Sequence, residues 1–258
     1  MKIKNLLSRG QIKKMKFRKN KPENSNSKEN QTDTPYTVEF YKRGAEISYT
    51  TAQIAINVFK HYYMPESVVD VGCSVGSWLK AWQDTGVKDV KGFDVHNLDD
   101  SYLYIPRKNI SVVDLEKYDF PECKKYDLAM SLEVAEHLHE KHAAKFVHNL
   151  TGLSDVVIFS AATPFQGGTH HVNEQPPQYW VDLFNKQGFE CFDFLRNELM
   201  RNPDSTSWHA QNILVFVSRN KSEIFLKQGL KIDNAPIFFY HPRTYMDRVE
   251  EIERLRNN

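Results

Sequence analysis

Ser67-Val-Val-Asp70-Val-Gly72-Cys73-Ser74-Val-Gly76-Ser-Trp78 decides the fold. Residues 68–71 are a short apolar run, the pattern of a buried strand. Gly72 to Gly76 is a glycine-rich turn, and residues 77–83 predict a helix. Strand, glycine turn and helix together make a ligand-binding corner. Glycines let backbone approach a bound molecule closely, and the helix N-terminus presents free N–H groups. Such corners join many strands to helices, so the neighbouring segments must give this one a ligand.

Working outward, residues 50–63 carry Ile54, Ile56, Val58, Phe59 and Tyr62 at roughly helical spacing, and Pro65 stops the helix they predict. A second strand over 90–95 ends in Asp94 and Val95. Asp94 lies 22 residues beyond Gly72, which in a βαβ unit puts a carboxylate beside the same crevice, able to accept hydrogen bonds from ribose hydroxyls. Residues 109–115 predict a third strand closing on Asp114 and Leu115, with a plain helix cap as the other reading of Asp114. A fourth strand over 126–132 leads into Glu133-Val-Ala-Glu136-His137-Leu138, then a helix over 142–150 and a fifth strand over 155–160. Alternating strands and helices with short links predict an α/β, doubly wound, mostly parallel sheet. Ligands in such sheets sit beyond the carboxyl ends of the strands, where all these motifs fall.

The segments Asp70-Val-Gly-Cys-Ser-Val-Gly76, Asp94, Asp114-Leu115 and Tyr126 to Leu138 resemble class I S-adenosylmethionine-dependent methyltransferases. The likeness runs over 47–217, with Ser74 standing where that family usually has glycine. It implies a seven-stranded, Rossmann-like sheet and S-adenosyl-L-methionine as cofactor. Asp70, Gly72 and Gly76, with Cys73 and Ser74 between them, would frame the methionine end. Asp94 and Val95 would meet the ribose, and Asp114 and Leu115 would flank the adenine. Ser131 and Glu133 would line the pocket near the sulfonium. A nicotinamide-dependent oxidoreductase is the rival for a glycine turn with a distal acid, and Glu133 to Leu138 weighs against it.

The acceptor side is read from residues 161–182. Gly167-Gly168 permits unusual backbone angles, so His170 and His171 can turn back over the pocket. With Asn173, Glu174 and Gln175 they form a dense hydrogen-bonding set that suits a polar acceptor. Methyl transfer to a hydroxyl calls for a base, and histidine titrates in the right range. His171 is the first candidate, His170 the second, and Glu136 and His137 would orient that base or contact the acceptor. Glu133, Glu136, His137 and the His pair also resemble the metal site of small-RNA 3′-terminal 2′-O-methyltransferases. Glu-x-x-Glu-His-Leu is common without metal, however, and the loop before His170 is short for those enzymes. The reading therefore assigns no metal ligand and keeps a divalent ion as a variant.

Composition bounds the rest. Of 258 residues, 40% are hydrophobic and 26% charged, enough for one domain with extensions. Residues 1–30 carry ten Lys/Arg against two Glu, leaving the remainder at a net −7. An acidic body argues against a broad nucleic-acid footprint, except through the basic tail. Three cysteines without metal spacing suit a reducing, cytoplasmic setting, and no stretch has the length of a membrane span. The expected organisation is a disordered tail over 1–35, a methyltransferase domain over 36–220, and an extension over 221–258 ending in a helix. Sixth and seventh strands are expected over 189–195 and 212–218, with residues 196–209 between them as part of the acceptor wall. The last helix carries Met246, Val249, Ile252 and Leu255 as a stripe expected to pack on its own domain. The leading functional expectation is O-methylation of a polar small molecule, such as a sugar or sugar phosphate of polysaccharide synthesis. A metal-dependent RNA ribose methyltransferase and a catalytically silent cofactor-binding protein are the alternatives, and the oligomeric state is left open.

Overall fold

The computed structural model describes residues 38–120 and 124–256, with side chains from Gly44 onward. The basic run, the expected tail boundary at residue 35 and Cys123 lie outside the described residues.

The chain enters through α1 (Val38–Phe59) and then alternates: β1 (Ser67–Val71), α2 (Ser77–Asp84), β2 (Asp89–Asp94), β3 (Ile110–Val112), β4 (Leu128–Leu132), α3 (Glu140–Leu153), β5 (Val156–Ser160) and α4 (Pro177–Lys186). It closes with β6 (Phe189–Phe192), α5 (Leu195–Arg201), α6 (Ser207–Asn212), β7 (Leu214–Ser218), α7 (Ser222–Leu226) and α8 (Pro242–Arg256). The seven strands form one sheet in the order β3-β2-β1-β4-β5-β7-β6. β1 to β5 run parallel, and β7 lies antiparallel between β5 and β6.

The central strands are buried on both faces, which is why they read as continuous apolar runs. One core packs Ile56, Phe59, Leu79 and Trp82 beneath α1 and α2. The other packs Phe146, Phe159, Phe184 and Phe216 beneath α3 and α4. Phe184 and Phe216 stack at 3.8 Å, only 6° from parallel.

Four details differ from the sequence reading. α1 begins a dozen residues early, at Val38. Lys42, Arg43, Gly44 and Glu46 interrupt the apolar spacing there, but Trp78 Nε1 donates to Ser48 Oγ at 3.0 Å and Tyr49 Oη to Asp84 at 2.6 Å. β3 shrinks to three residues at the sheet edge. β6 and β7 pair antiparallel but are joined by two helices, with the side chain of Arg196 between them fully buried. That guanidinium pairs with Asp193 and donates to the Ile237 carbonyl at 2.9 Å. Finally, most of the stripe on α8 stays exposed: Met246, Ile252 and Leu255 are 50%, 49% and 66% exposed, and only Val249 is half-buried.

Residues 221–256 are otherwise well attached. Phe225 is wholly buried in the first core. The segment then follows the outer edge of β6, where Asp233 N–H reaches the Cys191 carbonyl at 2.8 Å. This contact covers part of an edge strand that would otherwise be open. Among the described residues no helix is long and apolar enough to cross a membrane.

Phe184→Ala should cost about 3–5 kcal/mol in urea denaturation, since it empties the stacked aromatic centre. Ile237→Ala, at a 74% exposed position, should stay within about 0.5 kcal/mol.

Candidate active site

The corner after β1 is built from alternating left-handed residues: Gly72 at φ +89°, Ser74 at +49° and Gly76 at +80°. A Cβ at Gly72 would lie 2.2 Å from Val134 Cγ2, so any other residue would push the end of β4 away. Ser74 accepts a backbone angle that favours glycine, which is how the chain tolerates its departure from the family pattern. Gly76 caps α2 without a side-chain hydrogen bond. The first N–H groups of α2 thus have no cap to satisfy them and face the crevice.

Two carboxylates lie beneath this turn. Asp94 Oδ2 accepts Ser74 N–H at 2.7 Å, and Oδ1 accepts His96 N–H at 2.9 Å and faces His96 Nδ1 at 3.2 Å. That contact raises the His96 imidazole above its ordinary value. Asp70 is buried at the end of β1, and desolvation, with Asp94 nearby, pushes its carboxyl up to about 8.

Around them lies a cavity of about 640 Å³. Asp70, Gly72, Cys73, Ser74, Asp94, Val95, Asp114, Leu115 and Glu133 all line it, so the strand-end residues do converge. The Cys73 side chain turns down: a Cβ at Gly92 would lie 2.5 Å from its sulfur. Asp114 is exposed at the rim and already engaged, accepting Glu116 N–H at 3.1 Å and Lys117 Nζ at 2.6 Å; it closes a turn, and among the described residues no helix follows before β4 for it to cap. Ser131 is a correction. It is fully buried, donates to the Val71 carbonyl at 2.9 Å and does not line the cavity; Leu132, one residue on, does. The Ser131 hydroxyl lies against the backbone of the neighbouring β1, whereas Leu132 stands at the strand end beside the cavity. Ser48 and Ala45 of α1, with Trp208 and His209, complete the wall. Ser48 and Ala45 lie upstream of residue 50, where the sequence reading begins the helix. His209 is buried, pushed down to about 3 and bonded to Thr206 Oγ1 at 2.6 Å, so it stays neutral.

A second cavity of about 760 Å³ adjoins the first and shares Glu133, His137 and Trp208 with it. The two candidate histidines part here. His170, at φ +60°, faces the first cavity, whereas His171 lines the second. The Glu136 carbonyl accepts both Val172 and Asn173 N–H groups, at 2.9 and 3.0 Å, and so holds the histidine loop against the Glu136–His137 turn. His171 Nδ1 meets Glu174 Oε1 at 2.9 Å, and that oxygen also accepts Gly167 N–H at 2.8 Å. A Cβ at Gly168 would lie 2.3 Å from His171 Nε2, so glycine there makes room for the ring. His137 Nδ1 faces the His170 carbonyl at 3.3 Å, and desolvation, with His171 beside it, lowers the His137 imidazole.

The floor between the cavities is Glu133, at φ +54°. It accepts Asn212 Nδ2 at 3.1 Å and Gln166 Nε2 at 2.9 Å, while desolvation raises its carboxyl. Glu136 is buried with both carboxylate oxygens unpartnered among the described residues, and desolvation, with Glu133 near, pushes it well up. Ligand atoms of Glu136, His137 and His171 lie within 4.8 Å of one another. Sequence reasoning had these residues but assigned none to a metal. It missed Asn212, at the end of α6, and Gln166, in the loop after β5, since a single amide carries no spacing signal.

No protein-family model matches the chain, and no curated protein does. Solved structures do. DesVI of Streptomyces venezuelae aligns at TM-score 0.50 and 13% identity, over 70% of this chain and 95% of that one. The methyltransferase domain of bacterial CtHen1-C aligns at 0.47 and 21% identity, over 67% and 98%. Magnesium protoporphyrin IX methyltransferase (ChlM) of Synechocystis PCC 6803, with bound SAH, aligns at 0.48 and 19% identity, over 73% and 90%. At 13% identity the likeness to DesVI speaks for the fold alone, and the sheet order agrees: it is the Rossmann-like methyltransferase fold.

Asp70 gives a pH test. A carboxyl raised from 3.8 to about 8 leaves the folded state uncharged while the unfolded chain ionises. Its contribution is therefore fully present at low pH and is lost as pH climbs toward 8. The stability of Asp70→Asn minus that of the wild type, without ligand, should grow by at least ~1 kcal/mol between pH 4.5 and 8 in chemical denaturation.

Proposed function

We propose that the protein is an S-adenosylmethionine-dependent methyltransferase acting on a hydroxyl of a polar small molecule, with a sugar or sugar phosphate as the preferred class. One observation carries this reading: two cavities meet at Glu133, His137 and Trp208, one lined by the glycine corner and strand-end acids, the other by His171. The cofactor supplies a sulfonium methyl that passes to a nucleophile in one displacement.

The chain's own residues do the rest. The N–H groups at the start of α2 would hold a carboxylate, and Asp70 would meet an ammonium, which favours its ionised form. Asp94 keeps lone-pair capacity for a ribose hydroxyl and gains more when His96, whose side chain is 47% exposed, swings aside. In the second cavity His171 takes the acceptor's proton. Glu174 fixes the ring by accepting from Nδ1–H, which leaves Nε2 as the basic nitrogen. Both cavities mainly hold two reactants in line.

A second reading adds a divalent cation. The buried, unpartnered carboxylate of Glu136 favours it, because such a group is costly unless a cation or donor meets it. Glu136, His137 and His171 would hold the ion, with the Glu174 and His170 contacts orienting the two rings. An ion there would bind vicinal hydroxyls and lower their pKa. The RNA version of this reading draws on the basic run, which lies outside the described residues.

Asp94→Asn should weaken S-adenosylhomocysteine binding about 10–100-fold in calorimetry, the value of a charged hydrogen bond. Asp114→Asn, at the rim, should change it less than about threefold. No uptake by the wild type would end the proposal.

On a panel of sugars and sugar phosphates, His171→Ala should cut kcat about 100-fold with cofactor affinity kept, whereas His170→Ala should act on cofactor affinity. For the cation reading, Mn²⁺ should titrate to one site in the wild type and to none in Glu136→Gln. Full activity in chelator would exclude it.

A further inference from the structure

The wall of the second cavity opposite His171 comes from α8, and the proposed function leaves it unused. Arg243, Thr244, Asp247 and Arg248, in its first two turns, line that cavity. The start of the helix is fixed to the catalytic loop. Tyr240 Oη donates to the Pro164 carbonyl at 2.7 Å, and His241 N–H donates to Gln211 Oε1 at 2.7 Å. Gln211 in turn donates to Thr163 Oγ1 at 2.6 Å. Arg248 lies against the same loop: a Cβ at Gly167 would be 2.5 Å from its Nη1, so glycine there leaves space for the guanidinium.

The two arginines are incompletely used. Arg248 Nη1 donates to Glu251 at 2.6 Å, but its Nε is buried with no partner among the described residues. The side chain is 38% exposed and lines the cavity, so its guanidinium keeps donors that an oxyanion can meet. Arg243 makes no ion pair among the described residues and stands on the rim. Both sit on the first turns of a 15-residue helix, whose N-terminal end adds a partial positive charge. Asp204 and Asp247 share this rim, so a polyphosphate chain would meet two carboxylates, whereas a single compact oxyanion fits between them and the arginines.

We infer that the methyl acceptor carries one oxyanionic group, a phosphomonoester or a carboxylate, held by Arg243 and Arg248 while its hydroxyls face His171. The inference rests on reading the second cavity as the acceptor site.

The test uses the full chain saturated with S-adenosylhomocysteine, free of divalent metal and at constant ionic strength. Sodium phosphate and, separately, sodium acetate are titrated in while the arginine Nε–H signals are followed by NMR, that of Arg248 being identified by its loss in Arg248→Lys. The expected result is a saturable shift of the Arg248 signal. Binding measured by calorimetry should weaken at least tenfold in Arg243→Gln and in Arg248→Gln, and be largely kept in Arg248→Lys. Preference for phosphate assigns a phosphomonoester, and preference for acetate a carboxylate. No saturable shift with either probe overturns the inference. So does binding that both glutamine variants leave unchanged, which would place the anion elsewhere, as on the basic residues of 1–30. Uptake of S-adenosylhomocysteine is recorded for each variant. If the wild type fails to bind it, the proposed function falls; if it binds but the arginines do not matter, only this inference falls.

Discussion

The structure depends on how closely β1, β2 and β4 end together. Gly72 lets β1 turn within contact of Val134, and the Ser74 N–H to Asp94 bond ties that turn to β2. A side chain at position 72 would meet branched carbon at 2.2 Å, and the φ of +89° would strain it in any case. With the three strand ends drawn together, Asp70 and Asp94 face one crevice and α2 opens toward it. The buried Asp70 carboxyl shows what this proximity does: two acids in one desolvated place cannot both be comfortably charged, and a cationic ligand group resolves the conflict.

The second cavity follows from the first. β4 ends in Glu133, whose left-handed backbone turns the chain sharply into Glu136 and His137. The Glu136 carbonyl then takes two N–H groups from the loop after β5 and so brings His171 across. Glu133 thus stands between the two cavities, and its amide partners Asn212 and Gln166 hold its carboxylate in place.

Much of this was legible in the residues, for physical reasons that can be named. Strands buried on both faces leave unbroken apolar runs, so β1, β4, β5 and β7 were placed to within two or three residues. Asp94 was found because a βαβ unit has a nearly fixed length. Residues whose role is set by distant partners were not legible. Ser131 has the composition of a pocket residue, but its hydroxyl is taken up by the Val71 carbonyl of the neighbouring strand. The first half of α1 has its apolar spacing interrupted and is held by Trp78 and Asp84, partners 30 and 35 residues away. The α8 stripe has helical periodicity, but periodicity shows only that one side is apolar, and here most of that side stays in solvent. His170 and His171 are adjacent in sequence, and the positive φ of His170 with the Glu174 contact of His171 accompanies their division between two cavities.

The attachment of α8 has a bearing on how this scaffold diversifies. The fixed half of the site belongs to the sheet, while one acceptor wall hangs on a terminal segment pinned by Tyr240, His241 and the buried Arg196. Residues downstream of those pins can be exchanged without disturbing the packing of any strand. The wall that α8 builds is thus set apart from the strand ends that shape the first cavity, and the two can vary independently.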